Sequence, residues 1–325
     1  MVRLPPAPAG RGKGSPYVEH AVVHETGAMP EIDAGLAARL IEAQFPHWAG
    51  LPLVRFEPAG SDNVVFRLGD TMAVRLPRGD WAAGQARKEH AWLPRLAAGL
   101  PLPTPAPLGL GRPAFGYPWH WSVARWLEGS AATPEGFAEP ERTAIELAHF
   151  LRRLRAMPPA HALAPGPHPE LAPVPLAERY PGTREAIAAL AGVFDAAALT
   201  EIWEAALAAP AWAGEPVWYH GDFHTGNLLV RDGRLSAVID FGGLGMGDPA
   251  PDLMIAYTLL TAGTRRLFRA ALGVDDATWA RGLGWALGSG LSAHVAYAAT
   301  HPHIAAATHR QISEVLAEHA APTAR

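Results

Sequence analysis

The chain contains no cysteine, which removes disulfides, thiolate nucleophiles and cysteine-ligated metals from the chemistry open to it. It also lacks a long apolar run. The best candidate, MIAYTLLTAG after Asp252, falls well short of the roughly 18 residues a membrane-spanning helix needs. The opening stretch MVRLPPAPAGRGKGSPYVEH is basic, but Pro5, Pro6 and Pro8 interrupt it and no apolar run of signal-peptide length follows. A concentrated basic surface is missing as well: the formal net charge is -4 over 325 residues, the wrong balance for a protein that binds mainly nucleic-acid phosphates. No internal repeat is present. The expectation is a soluble, cytoplasmic protein with neither a nucleic-acid nor a membrane partner; its oligomeric state is left open.

What is there suffices for a full core, with 49% hydrophobic and 18% charged residues, and at this length two lobes are expected. Residues 1–28, rich in Pro and Gly, read as a mobile tail. Apolar residues at Ile32, Leu36, Leu40 and Ile41 predict a helix over 31–45. Between Val54 and Leu76 the period becomes two, with VVFRL and MAVRL flanking Gly69-Asp70-Thr71, a hairpin pattern. The loop Ala59-Gly60-Ser61-Asp62-Asn63 before it is either an ordinary turn or a backbone cradle over phosphates, with Gly60, Ser61 and Asn63 as the candidate contacts. Arg75 on the strand and Glu89 on the following helical stretch, GQARKEHAWLPRLA, are placed to pair. LPLPTPAPLGLG reads as an extended connection, and WHWSVARWLEGS as a buried strand leading to a hinge at Glu128-Gly129.

Beyond the hinge, the spacing of Ile145, Ala148, Leu151 and Leu154 predicts an amphipathic helix over 141–157. Seven prolines between 158 and 175 predict an irregular loop. Helices are expected over 184–191 and 196–208, and again after Asp252, broken at Gly263, Gly273 and the Gly-rich segment near Trp285. The tryptophans 203, 212, 279 and 285 either line a pocket or fill the core, the core being the safer reading for each. The resulting division is a tail (1–28), an N-lobe of sheet plus helix (29–127) and a C-lobe (128–325).

The stretch 218–253, WYHGDFHTGNLLVRDGRLSAVIDFGGLGMGDPAPDL, concentrates His220, Asp222, His224, Asn227, Asp240, Asp248 and Asp252 among glycines. Leu228–Val230 and Ser236–Ile239 read as two strands joined at Asp232-Gly233, a tight-turn dipeptide. A hairpin brings its ends together, so Asn227 and Asp240 should lie side by side with Asp222 in reach. Oxygen ligands of this kind suit a hard cation such as Mg²⁺. A metal-dependent phosphoesterase would instead use His220, Asp222 and His224 as ligands, but the further His and carboxylate clusters of a two-metal site are not found upstream. Phosphoryl transfer accounts for more. Asp222 and Asn227 have the Asp-x-x-x-x-Asn spacing of a kinase catalytic loop, and Asp240-Phe241-Gly242 is an Asp-Phe-Gly metal motif. In that chemistry Asp222 orients and deprotonates a hydroxyl while Asn227 and Asp240 hold magnesium.

HGDFHTGNLLV followed by VIDFGGLGMGDPAPDL resembles the aminoglycoside phosphotransferase family of small-molecule kinases. The resemblance is specific over 218–253 and looser over about 29–300. It implies an α+β, protein-kinase-like two-lobed fold; ATP or GTP and Mg²⁺ as cofactors; a small-molecule hydroxyl acceptor such as an antibiotic, sugar or related metabolite; and antibiotic resistance as a biological setting. It also implies that Asp222 is the base, that Asn227 and Asp240 are metal ligands, that His220 supports the loop, and that Asp248 and Asp252 are structural. The family usually places a lysine where this chain has Arg75, with Glu89 as its partner, so a nucleotide-binding pseudokinase is the alternative. Arginine keeps the charge but not the geometry. Gly247-Asp248-Pro249 follows Asp240 too soon for a peptide-docking segment. Residues 251–325 hold five Asp or Glu against six Arg, a balance that favours an acceptor less cationic than an aminoglycoside.

Overall fold

The helix expected over 31–45 forms as α1 (Ala34–Gln44), started by Asp33, whose carboxylate accepts from the Leu36 N–H at 2.7 Å. The computed structural model describes residues 31–57 and 60–321; the tail expected over 1–28 and Ala59 of the candidate phosphate loop lie outside them. The period-two segment forms β1 (Leu53–Arg55), β2 (Asn63–Leu68) and β3 (Met72–Pro77). Val64, Phe66 and Leu68 alternate onto one face with Val74 and Leu76, and α1 covers that face with Leu36, Ala37, Leu40 and Ile41. After α2 (Gln85–Leu96), β4 (Pro107–Gly111) and β5 (Trp121–Arg125) complete an antiparallel sheet of order β1-β2-β3-β5-β4. The second half of the Pro-rich connection is therefore an edge strand, where proline costs no ladder hydrogen bond. In mid-sheet, Arg75 stands opposite Val65 on one side and Ser122 on the other.

Past Gly129, β6 (Ser130–Ala131) leads to α3 (Pro140–Arg155). Its buried stripe is Ala144, Leu147, Ala148, Leu151 and Leu154, whereas Ile145 is 49% exposed. Ile145 lies about 100° of helical rotation from Ala144, at the edge of the stripe. The Pro-rich 158–175 loop is less irregular than its composition predicts, since α4 (Ala160–Leu163) and a single 3-10 turn, Pro169–Leu171, interrupt it. There follow α5 (Leu176–Arg179), α6 (Thr183–Ala189), α7 (Ala196–Ala208), β7 (Val217–Tyr219), β8 (Leu228–Arg231), β9 (Arg234–Val238) and β10 (Gly245–Gly247). The chain then runs through α8 (Ile255–Thr258), α9 (Ala262–Leu272), α10 (Asp276–Tyr297) and α11 (Pro302–Ala320).

Gly273 ends α9 in the left-handed conformation, but Gly263 and the glycines near Trp285 lie inside helices. In α10 they admit neighbours rather than break the helix. A Cβ on Gly284 would fall 2.5 Å from the Ala206 side chain, and one on Gly288 would fall 2.6 Å from Tyr180. Close approach of α7 and α5 to α10 outweighs the roughly 1 kcal/mol helix-propensity cost of each glycine.

The architecture is α+β, an antiparallel sheet with flanking helices followed by a mainly helical part. The apolar face of α2 does not belong to the sheet's core. Trp92, Leu93 and Leu96 join the helical core instead, and Trp92 packs on Trp218 with ring centroids 5.1 Å apart. That contact ties the helix carrying Glu89 to the strand leading into the 218–227 loop. Among the described residues no helix is long and apolar enough to cross a membrane.

Candidate active site

The hairpin read from the sequence is present. β8 and β9 pair antiparallel around Asp232 and Gly233, both at positive φ (54° and 71°) as a two-residue hairpin turn requires. The Ile239 N–H donates to the Asn227 carbonyl at 2.9 Å, which sets Asp240 beside the end of the preceding loop. Asp240 itself is left-handed, with φ 61°, so its carboxylate turns away from the strand direction.

Two hydrophobic anchors hold the 220–227 loop against the helical core. Phe223 is fully buried and stacks on Phe150 of α3 at 5.6 Å and 3°. His220, also fully buried, lies 4.5 Å from the Phe241 ring. Its bonds define its role: Nδ1 accepts from the Asp222 N–H at 3.3 Å, so Nε2 carries the proton and donates to the Ile239 carbonyl at 3.1 Å. Both ring nitrogens are engaged. The metal-ligand role that the phosphoesterase alternative gives to His220 is therefore closed. Asp252, fully buried, accepts from the His220 and Gly221 N–H groups at 2.9 and 2.8 Å; burial pushes its carboxyl up against the pull of these donors. Asp248 is clasped by Arg281, Oδ2 at 2.6 Å from Nε and Oδ1 at 3.0 Å from Nη2. Gly221 has φ +83°, and a Cβ there would meet the Gly243 carbonyl at 2.1 Å. The two loops touch backbone to backbone, which only glycine permits.

Asp222 points outward from this scaffold. Asn227 Nδ2 donates to its carbonyl at 2.8 Å and to its Oδ2 at 2.9 Å, and His224 Nε2 stands 3.4 Å from Oδ2. Burial would raise the Asp222 carboxyl, but His224, His220 and Arg179 outweigh it and hold it at about 2. Desolvation works against the charged form of His224 as well, yet Asp222 and Asp240 raise it above its ordinary value. All the side-chain hydrogen bonds of Asn227 run through Nδ2, which leaves its amide oxygen directed elsewhere.

Arg75 links the sheet to this loop. Nη1 donates to Glu89 Oε2 at 2.5 Å and Nη2 to Asp240 Oδ1 at 2.8 Å. Burial opposes its charge, and the two carboxylates restore and strengthen it. Oδ2 of Asp240 and the Asn227 oxygen are a hard donor pair, and Mg²⁺ is commonly held by one or two such groups with phosphates and water completing the shell. These residues fit a magnesium–nucleotide. Among the described residues, no group of three or more His, Cys, Asp or Glu side chains could hold a metal by itself.

The phosphate-loop candidates divide. Asn63 is buried and donates to Gln85 Oε1 at 3.4 Å, while the Ser61 hydroxyl turns to its neighbour Asp62 at 3.0 Å. Gly60 is exposed and would have nothing within 4 Å of a Cβ. Neither Gly60, Ser61 nor Asn63 lines the cleft of about 390 Å³ that opens over Asp222 and Asp240; Asp62 does. Its other walls bring in side chains not singled out by sequence, among them Gln85, Lys88, Glu170, Arg179 and Tyr219, together with Trp285, which is both core and cleft wall. Asp62 accepts from Gln85 Nε2 at 2.6 Å, and Gln85 packs over Gly242. A chain of contacts thus runs from the sheet loop to the turn after Asp240. No motif marks these residues, because the elements that carry them meet only in the folded chain.

Residues 53–285 match the family model described as phosphotransferase enzyme family, APH. Among solved structures, the GDP complex of wild-type aminoglycoside 2'-phosphotransferase-IIIa aligns with a TM-score of 0.67 at 20% identity, covering 87% of this chain and 98% of that one. The apoenzyme of macrolide 2'-phosphotransferase MphH from Brachybacterium faecium aligns with a TM-score of 0.53 at 25% identity, over 85% of this chain and 95% of that one. A streptomycin–ATP ternary complex of APH(2")-IIa aligns at 0.56 and 18% identity, over 81% and 91%. The shared fold is the kinase-like one expected from the sequence. A comparison with curated protein sequences finds no match.

Proposed function

The chain belongs to the phosphotransferase enzyme family, and from that premise we propose that it moves the γ-phosphoryl group of ATP or GTP to a hydroxyl of a small molecule. One observation carries the reading: Asp222, bonded to Asn227, and Asp240, bonded to Arg75, line one cleft. In the reaction the acceptor oxygen forms a bond to the γ-phosphorus, the bond to the β-phosphate oxygen breaks, and the hydroxyl proton passes to Asp222. A carboxylate held at about 2 is a weak base. Its part is to orient the hydroxyl and take the proton late, as that oxygen becomes acidic on bonding to phosphorus.

Asn227 and Asp240 hold Mg²⁺ in this reading, and magnesium, when bound, neutralises charge on the phosphates. Arg75 contacts the nucleotide phosphates in place of a lysine, oriented by Glu89. The loop containing Gly60 and Ser61 covers the phosphates through its backbone, whereas Asn63 serves to hold Gln85. The lobes are 29–127 and 128–325, and the enzyme acts in the cytoplasm on a hydroxylated antibiotic, sugar or related metabolite. Names of similar proteins speak of aminoglycosides and macrolides, which makes both part of the panel that tests the reading. ADP or GDP release is followed with aminoglycosides, macrolides, sugars and amino alcohols, with Asp222→Asn as control. Acceptor-dependent release by the wild type alone is the expected result; equally slow hydrolysis by both variants refutes the catalytic reading.

A further inference from the structure

The charged side chains lining the cleft are Asp62, Lys88, Glu170, Arg179, Asp222 and Asp240. Most of them are engaged. Asp62 accepts from Gln85 and Ser61; Glu170 accepts from Trp92 Nε1 at 3.2 Å and lies 3.5 Å from His168 Nδ1. Asp222 takes the Asn227 amide and Asp240 takes Arg75. Arg179 interacts electrostatically with Asp222. Lys88 differs: its ammonium makes no hydrogen bond or ion pair with any described residue. Successive residues on a helix diverge by about 100°, so Glu89 reaches back to Arg75 while its neighbour Lys88 enters the cleft.

This ammonium is half-buried. Burial depresses it to about 8; Glu89 and Glu170 pull it up, and Arg179 pushes it further down. A partly desolvated cation that no described residue hydrogen-bonds, facing a second cation, gains when an anion arrives. We propose that Lys88, with Arg179 facing it, binds an oxyanion: an oxygen of the transferring phosphoryl group or a carboxylate or phosphate carried by the acceptor. The proposal rests on the reading of this cleft as the phosphotransfer site.

The test is calorimetric titration of the full chain, wild type against Lys88→Gln and Lys88→Arg, with Mg-ADP, with Mg and the non-hydrolysable imido analogue of ATP, and with orthophosphate or gluconate added to the Mg-ADP-bound protein. If Lys88 holds the transferring phosphoryl, Lys88→Gln weakens the triphosphate analogue about tenfold, the worth of one charged hydrogen bond, and leaves Mg-ADP unchanged. If it holds an acceptor anion, the same loss falls on orthophosphate or gluconate. Lys88→Arg retains most of the affinity in either case. Unchanged Mg-ADP binding doubles as proof that Lys88→Gln is folded. Lys88→Gln indistinguishable from wild type with every probe, while Mg-ADP binds, overturns this proposal alone. A wild type that binds no Mg-nucleotide removes the phosphotransfer reading, and the proposal with it.

Discussion

The ion pair between Arg75 and Glu89 gives the most quantitative prediction. Their side chains are 13% and 6% exposed, and Glu89 Oε1 already lacks a hydrogen-bond partner among the described residues. Arg75→Ala strips the other oxygen as well and leaves a buried, uncompensated carboxylate. Removing one partner of a buried pair costs about 3–5 kcal/mol, a large part of the roughly 5–15 kcal/mol that holds a typical protein folded. Glu89→Gln costs less, about 1–3 kcal/mol, because Arg75 keeps Asp240 as a partner at 2.8 Å and the amide oxygen can still accept. The double variant should destabilise by clearly less than the sum, with a coupling of about 2 kcal/mol. The measurement is urea unfolding followed by tryptophan fluorescence without nucleotide, as a double-mutant cycle. A cost below about 1 kcal/mol for Arg75→Ala, the worth of a surface pair, or zero coupling with Glu89→Gln, would refute the reasoning. Arg75→Lys separates charge from shape. One ammonium cannot span Glu89 and Asp240 together, so this variant should keep much of the stability and release Asp240.

The remaining predictions concern the site. Asp222→Ala should lower kcat by about two to four orders of magnitude with nucleotide affinity unchanged; equal losses in both would make Asp222 a structural residue. Asp240→Ala should abolish the magnesium dependence of nucleotide binding in titrations with and without the metal, and persisting dependence would remove it from the ligand set. Gly221→Ala should perturb both loops, since its methyl would meet the Gly243 carbonyl, and limited proteolysis after Gly243 should speed up; an unchanged digest would contradict that contact. The Lys88 ammonium sits at about 8 in the folded chain against an ordinary value of 10.5. Anion affinity in the cleft should therefore fall as pH rises through 8. Its burial penalty applies fully below 8, shrinks between 8 and 10.5 and vanishes above, so Lys88→Met should raise the melting temperature more at pH 7 than at pH 10.5. Equal gains at both would show that burial does not depress the Lys88 ammonium.

Wherever one local element decides the geometry, the site was legible in advance. Asp222 and Asn227 sit five apart in one loop, and a hairpin with a two-residue turn has to place the end of one strand beside the start of the other, so Asp240 follows from Asp232-Gly233. The Arg75–Glu89 pair is nearly local too, from a strand and the helix after it. By contrast, glycines read as helix breaks in α10 prove to be contact points for α5 and α7. Propensity alone cannot distinguish a stop from a close approach. Ile145 looked like core because the helical period is satisfied within about 100°, and only the placement of the neighbouring α9 decides which edge of the stripe is covered.

The sequence by itself determined the Asp222–Asn227 spacing, the hairpin, the α+β order and the absence of thiol chemistry, because each depends on residues close in the chain or on composition. Tertiary structure alone decided that Arg75 reaches Asp240 across 165 positions, and that Asp62 reaches Gln85 and through it Gly242. It also decided that Lys88 faces the cleft with no hydrogen bond or ion pair to its ammonium among the described residues, while Glu89 turns away. Such contacts depend on how α2 is docked, and that is set by Trp92 on Trp218, burial of apolar surface between distant elements. The pattern of one segment specifies which face of the helix is apolar, but not which charged group its opposite edge will meet.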